Sequence, residues 1–128
     1  RSDMTLVDSF GWIEFFTDGP LASEYAKYLQ KPSEVIVPTI VLYEVYKKIK
    51  SEKSEDAALV AVATMQTAHV VPLTEELSLS AADVSLSHKL AMADAIVYAS
   101  ATQEDAKVVT SDKDLKDLPH VTYFPKKD

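Results

Sequence analysis

The chain reads as an α/β sandwich built on a parallel sheet, and three observations lead there. Short β-branched runs recur along it. They are continuous rather than alternating, as in strands covered on both faces. Longer helical stretches separate them, which places helices around a sheet rather than strands in hairpins. The runs are TLV before Asp8, EVIV at Glu34 to Val37, HVV at His69 to Val71, KVVT at Lys107 to Thr110 and VTYF at Val121 to Phe124.

The helices follow from their end signals. Gly19 and Pro20 open PLASEYAKYLQ, with proline at the first helical position, and KPSE closes it. Thr39 is the predicted cap of IVLYEVYKKIK, whose basic end, Lys47, Lys48 and Lys50, complements the helix dipole. Ser54 caps EDAALVAVATMQ, and Thr74 caps EELSLSAADVSLSHK, each with two acids in the first turn. The last helix, LAMADAIVYASA at Leu90 to Ala101, is rich in alanine and large apolar residues and reads as buried. Trp12, Phe15 and Phe16 at helical spacing read as core rather than as a base-stacking platform. His69 reads as a strand residue at an edge or in packing, His88 as a loop residue, and the three histidines are too scattered to serve as ligands.

A length of 128 residues fits one domain. Arg1 to Asp3 precede Met4 and read as an expression scar, leaving a single domain over residues 4–128. The chain has no cysteine, which excludes disulfides, thiolate metal sites and cysteine nucleophiles and suits a cytoplasmic protein. No apolar run reaches the roughly 18 to 20 residues that span a bilayer, so no membrane role is expected. A net charge of −7 is the wrong sign for holding nucleic acid by phosphate neutralisation alone. Two bound divalent cations would bring it to −3 and concentrate positive charge where a phosphate must sit. With two glycines in the chain, no glycine-rich phosphate loop exists.

Most of the acids belong to helix starts and polar faces, Glu55, Asp56, Glu75 and Glu76 among them. Four stand out. Asp8 ends the first strand, where it or Ser9 also suits a helix cap. Glu44 is the one acid in an otherwise apolar and basic helix, with Lys48 four residues on as a possible surface partner. Asp94 stands in the apolar helix with Leu90, Ala91, Val97 and Tyr98 a turn away and no basic partner. Asp112 follows the fourth strand, a routine place for a turn or cap aspartate. In a parallel α/β sheet, ligands sit in the crevice at the carboxyl ends of the strands, where Asp8 and Asp112 are predicted to lie. Glu44 and Asp94, on helices, can lean over that edge. Four carboxylates so placed repel one another and resist ionisation unless hard divalent cations bind among them, and oxygen-only ligands favour Mg2+ or Mn2+.

At these residues the sequence resembles the PIN-domain family, and most closely the VapC-type toxin ribonucleases. The resemblance rests on LVDSFGWIEF, PTIVLYEVYKKI, LAMADAIVYASA and VVTSDKDL, in the family's order and spacing over nearly the whole chain. It implies a three-layer α/β/α fold with a five-stranded parallel sheet, and metal-dependent endonuclease activity on RNA. Asp8, Glu44, Asp94 and Asp112 would be the acidic quartet, Asp114 an auxiliary acid, Thr110 the hydroxyl that orients Asp112, and Ser9 the small hydroxyl residue after the first acid. The metal site would activate water and stabilise the leaving oxygen, and cleavage would leave a 5′-phosphate and a 3′-hydroxyl. The sequence departs from the family pattern at Ser87 to Lys89, where a small or glycine-containing turn often precedes the third acid. Lys89, Lys113 and Lys116 are candidate RNA phosphate contacts, although each is also an ordinary surface lysine.

The same resemblance implies an antitoxin protein partner and a homodimer, for which the helices Ile40 to Ile49 and Leu59 to Met65, apolar on more than one face, are the candidate surfaces. Two rivals remain. A phosphoacceptor receiver domain is also α/β, but wants a lysine ending a late strand where KVVTSDKD offers an acid. A PIN-like module kept only for binding would lack turnover.

Overall fold

All five β-branched runs form strands, and all pair in parallel. The computed structural model describes residues 3–127, so Arg1 and Ser2 of the predicted scar lie outside the described residues. Strands β1 (Thr5–Val7), β2 (Val35–Pro38), β3 (His69–Val71), β4 (Lys107–Thr110) and β5 (Val121–Tyr123) make one sheet in the order β3-β2-β1-β4-β5. Helices α1 (Ser9–Thr17), α2 (Ala22–Ala26), α3 (Thr39–Glu52), α4 (Glu55–Met65), α5 (Glu75–His88) and α6 (Met92–Gln103) connect the strands, with 3-10 turns at Pro32–Glu34 and Lys113–Leu115. The result is the α/β/α arrangement. Among the described residues, no helix is long and apolar enough to cross a membrane.

Coverage follows strand position. Central β2 is buried throughout, whereas edge strand β5 is only half-buried and His69 of edge strand β3 is exposed against Glu104. Leu6, Val7, Ile36, Val37, Val108 and Val109 anchor the core from the sheet, and Val41, Val45 and Ile49 of α3 cover it. Much of the apolar surface of Ile40 to Ile49 is therefore core, with Tyr43 exposed; Leu59 and Val60 of α4 are exposed as well.

Several end signals acted as predicted. Ser54 accepts the Ala57 N–H and Thr74 the Leu77 N–H, each closing the first turn of its helix. Thr39 does not cap α3. Pro38 occupies the cap position with no side chain able to accept, and Thr39 is already helical. The segment after Pro20 also differs: its helix is only Ala22–Ala26, because Leu21 takes the cap position and the chain tightens into turns after Tyr25. Buried Glu14 accepts the Leu21 N–H at 2.8 Å, so a carboxylate from α1 ties down the start of α2. Trp12 is core, stacked on Phe16, whereas Phe15 is 38% exposed.

Gly11 has a packing role. A Cβ there would collide with the ring of Tyr25 and lie 2.7 Å from Val7 Cγ1. Tyr25 is fully buried, and its hydroxyl reaches Ser111 Oγ at 2.6 Å, just past the end of β4. Glycine to alanine inside a helix ordinarily stabilises by about 1 kcal/mol. Gly11→Ala is expected to reverse that sign and destabilise by about 2 kcal/mol in urea unfolding, through overpacking against Tyr25. A variant more stable than the parent would show that this contact yields.

Candidate metal centre

Sheet register builds the first half of the site. Val7 pairs with Val109 across β1 and β4, so the next residues along, Asp8 and Thr110, meet at the carboxyl edge of two central strands. Asp8 N–H still donates to the Val109 carbonyl, which fixes its backbone in the sheet while α1 starts at the following residue. Its carboxylate is divided between two donors: Oδ1 accepts from Ser9 N–H at 2.8 Å and Oδ2 from Thr110 Oγ1 at 2.9 Å. Asp8 is thus both the helix cap and the innermost acid.

Thr110 is fully buried and links two acids. Its Oγ1 donates to the Asp8 side chain and accepts the backbone N–H of Asp112 at 3.0 Å. The hydroxyl predicted to orient Asp112 therefore orients the Asp8 carboxylate and the Asp112 main chain together. The Asp112 carboxylate caps the following 3-10 turn by accepting Asp114 N–H at 2.9 Å. Asp114 itself is exposed and outside the tight cluster, but close enough for its charge to disfavour ionisation of Asp94.

Asp94 arrives from α6, and its position differs from expectation. The helix begins at Met92, not Leu90, so Asp94 lies in the first turn rather than mid-helix, half-buried, beside an N-terminus with no side-chain cap. A helix start favours negative charge. The divergent segment before it closes normally: Lys89 takes the left-handed conformation at φ 57° and its N–H reaches the Ser85 carbonyl. This is the turn where glycine is usual, made here without one.

One carboxylate oxygen from each of Asp8, Asp94 and Asp112 lies within 4.8 Å of the others. Glu44 lies outside that tight group yet is near it. Burial and the charges of Asp8 and Asp112 raise its pKa, while a hydrogen bond from the Ser9 side chain lowers it. Lys48 pairs instead with Glu52 at 2.6 Å. Burial also raises Asp8, opposed by its bonds from Ser9 and Thr110, and Asp112 adds repulsion. Asp94 is pushed up to about 8, first by burial, then by the neighbouring Asp112 side chain and by repulsion from Asp112, Asp8 and Asp114. Among the described residues, no basic side chain forms an ion pair with Asp8, Asp94 or Asp112.

A hard cation fits this donor set. The donors are all oxygens, none is held in an ion pair among the described residues, and the separation suits one ion contacted from several sides.

The cluster opens into a cleft of about 880 Å3 lined by Asp8, Ser9, Asp112 and Asp114, with Phe10 and Tyr123 as its aromatic walls. Lys113 lines it too. Lys89 closes α5, and Lys116 lies over the Tyr123 ring with its Nζ 5.6 Å from the centroid. A further lysine, unforeseen from sequence, completes the wall: Lys126 sits 4.8 Å from the Phe10 ring centroid and its charge favours ionised Asp8. A signal for it existed. The chain leaves parallel β5 at the same edge as Asp112, carrying FPKK over the site. Where a receiver domain needs its lysine, β4 ends in buried Thr110, followed by buried Ser111.

Comparison with known proteins agrees with this architecture. No curated protein sequence matches significantly. Among solved structures, the chain is similar to a toxin-antitoxin complex from Klebsiella pneumoniae, at TM-score 0.80 and 20% identity, covering 95% of this chain and 99% of that one. It is also similar to VapC20 from Mycobacterium tuberculosis, described as a sarcin-ricin loop cleaving toxin, at TM-score 0.69 and 19% identity over 80% of this chain and 85% of that one. VapBC2 from Rickettsia felis, bound to a DNA fragment from its promoter, aligns at TM-score 0.73 and 12% identity over 97% and 99%. Identities this low establish a shared fold. A family model described as PIN domain matches residues 5–121, and with the sheet order and the acidic edge in place, the chain belongs to the PIN-domain family.

Proposed function

We propose that this protein is a metal-dependent endoribonuclease and the toxin of a toxin-antitoxin pair. The observation that carries the reading is the convergence of Asp8, Asp94 and Asp112 at the carboxyl edge of the sheet with no ion pair to a basic side chain among the described residues. Membership of the PIN family supports nuclease chemistry, and the similar folds titled as toxin-antitoxin and RNA-loop-cleaving proteins support the toxin role.

In this reading Asp8, Asp94 and Asp112 hold Mg2+ or Mn2+, with Glu44 and Asp114 as flanking acids. The bound cation supplies Lewis acidity toward water and toward the phosphate oxygens. Thr110 and the Ser9 amide fix the Asp8 carboxylate, so the ligand nearest the sheet needs no reorganisation on binding. Asp94, whose pKa is raised by burial and by its acidic neighbours, must be deprotonated to act as a ligand. Lys113 and Lys126 face the cleft and suit the phosphates flanking the cut, while Phe10 and Tyr123 suit an unpaired base. Hydrolysis by water leaves a 5′-phosphate and a 3′-hydroxyl and does not use the RNA 2′-hydroxyl as nucleophile. The antitoxin partner follows from the similar complexes, and self-association is a further expectation of the resemblance.

The decisive variant is Asp94→Asn. Cleavage of single-stranded RNA in Mg2+ or Mn2+ is expected to fall at least about a hundred-fold with the fold retained. Unchanged cleavage by a nuclease-free, folded preparation would remove the assignment and leave a binding module. Lys126→Ala is expected to raise KM roughly three- to ten-fold with little change in kcat, the effect shrinking as salt rises; a kcat effect alone would deny it a phosphate contact.

A pH test follows from the raised Asp94 pKa. In metal-free protein the folded state holds a proton between pH 3.8 and about 8 that the unfolded chain has lost. Stability contributed by this group is therefore lost as pH rises through that window. Melting curves in chelator are expected to show Asp94→Asn gaining on the parent as pH climbs, by a few degrees at the alkaline end. A constant difference across the range would show that Asp94 ionises normally.

A further inference from the structure

Tyr25 buries a hydroxyl that the core does not need. The side chain is fully buried, and a phenylalanine would fill the same space without desolvating a polar group. Burial pushes the phenol up to about 12, the Ser111 hydrogen bond opposes that shift, and the charges of Asp8 and Glu14 add to it, so Tyr25 keeps its proton across the ordinary pH range. The hydroxyl meets Ser111 Oγ at 2.6 Å, across 86 residues of chain. A buried hydroxyl pair stabilises a fold little more than apolar side chains of the same shape would. What distinguishes this one is its place.

Ser111 stands between Thr110 and Asp112, is 2% exposed and lines the cleft. On its near side Thr110 Oγ1 donates to Asp8 and accepts the Asp112 N–H. On its far side Asp112 accepts the Asp114 N–H through its carboxylate and the Leu115 N–H through its carbonyl. Strand β4 ends at Thr110, so past that residue the sheet ladder no longer dictates the path of the chain. The Tyr25 bond ties this exit to a different part of the molecule.

The Tyr25 ring is itself wedged. Phe10 and Phe124 meet it edge-on, with centroids 6.4 and 5.6 Å away, and Gly11 has no Cβ to hold it off. Phe10 and Gly11 belong to the helix that starts beside Asp8, and Phe124 leads into the segment carrying Lys126. A tyrosine has two side-chain torsions, so seating the ring fixes the hydroxyl.

We infer that Tyr25 is a positioning residue for the acidic cluster: through Ser111 its hydroxyl sets the path between Thr110 and Asp112, and with it the approach of the Asp112 carboxylate to Asp8 and Asp94, a role that rests on the cation reading of that cluster. Asp8 is held at a strand end and Asp94 on a helix, whereas Asp112 arrives on the connection after β4. Repulsion among the acids acts to swing that connection outward. The Tyr25–Ser111 bond opposes the swing and keeps the donors converged before a cation arrives.

The experiment uses the full chain, below the melting transition of each metal-free variant. Tyr25→Phe keeps the ring and removes one oxygen. Calorimetric titration is expected to show its Mn2+ Kd raised about three- to ten-fold. RNA cleavage is expected to fall by a similar factor at limiting Mn2+ and to recover at saturating Mn2+, with the KM for RNA unchanged. A packing defect in a folded protein does not produce that rescue. Ser111→Ala is expected to raise the Mn2+ Kd equally, and the double variant no further, because both act through one bond. It also decides the matter if Tyr25→Phe fails to fold. Unchanged Mn2+ affinity in the folded variants, losses that add in the double variant, or a cleavage defect that saturating Mn2+ leaves in place would each overturn the proposal. A parent that binds Mn2+ without cleaving RNA would end the nuclease reading alone, and the affinity comparison would still decide the role of Tyr25. A parent that binds no Mn2+ would overturn both.

Discussion

Mutual repulsion among carboxylates is the constraint on which the rest of this structure depends. Asp8, Asp94 and Asp112 come from three separate stretches of chain, and their oxygens approach within 4.8 Å. Among the described residues no lysine or arginine forms an ion pair with these three acids, and Lys126 only eases Asp8 from across the cleft. The repulsion is managed by protonation, Asp94 being raised to about 8, and by hydrogen bonds that hold Asp8 in place. In the proposed reading, a bound cation would reverse the sign of this interaction. Stability and function are opposed at one point in the molecule, and the surrounding packing sustains it.

That packing is specific. The β1–β4 register sets Asp8 beside Thr110, and the buried Thr110 hydroxyl converts two neighbouring strand ends into one rigid unit. Below it, the close approach permitted by Gly11 seats Tyr25, whose hydroxyl holds Ser111. The α1–α2 corner is tied by Glu14, a buried acid with a purely structural duty. It contrasts with Asp8. Glu14 holds a backbone N–H from the α2 start, while Asp8 holds its hydrogen bonds and still opens onto the cleft.

The layout was legible where the signal was periodic or compositional. Continuous β-branched runs marked every strand, and their parallel pairing placed Asp8 and Asp112 on one edge, because parallel strands present all their carboxyl ends together. Glu44 was legible as a carboxylate with little polar face to occupy, and the structure brings it near Asp8 and Ser9 although not into the tight triad. Asp94 was recognised by its apolar neighbours, yet misplaced within its helix: Leu90 and Ala91 continue the apolar run without continuing the helix, and no capping side chain announces Met92 as the start. The Thr39 cap failed since a proline before it already held the extended cap geometry. Lys126 was signalled only by the FPKK run leaving β5 at the site edge, and the Tyr25–Ser111 pair rests on a contact between residues far apart in the chain, which local patterns do not encode.

The central claim is that a divalent cation binds among Asp8, Asp94 and Asp112 and displaces the proton that burial and neighbouring charge favour on Asp94. Calorimetric titration of Mn2+ below pH 8, repeated in buffers of different ionisation enthalpy, tests it without recourse to RNA. The account predicts binding with release of about one proton, a release that disappears in Asp94→Asn. Binding that frees no proton, or no binding at millimolar Mn2+, would contradict it.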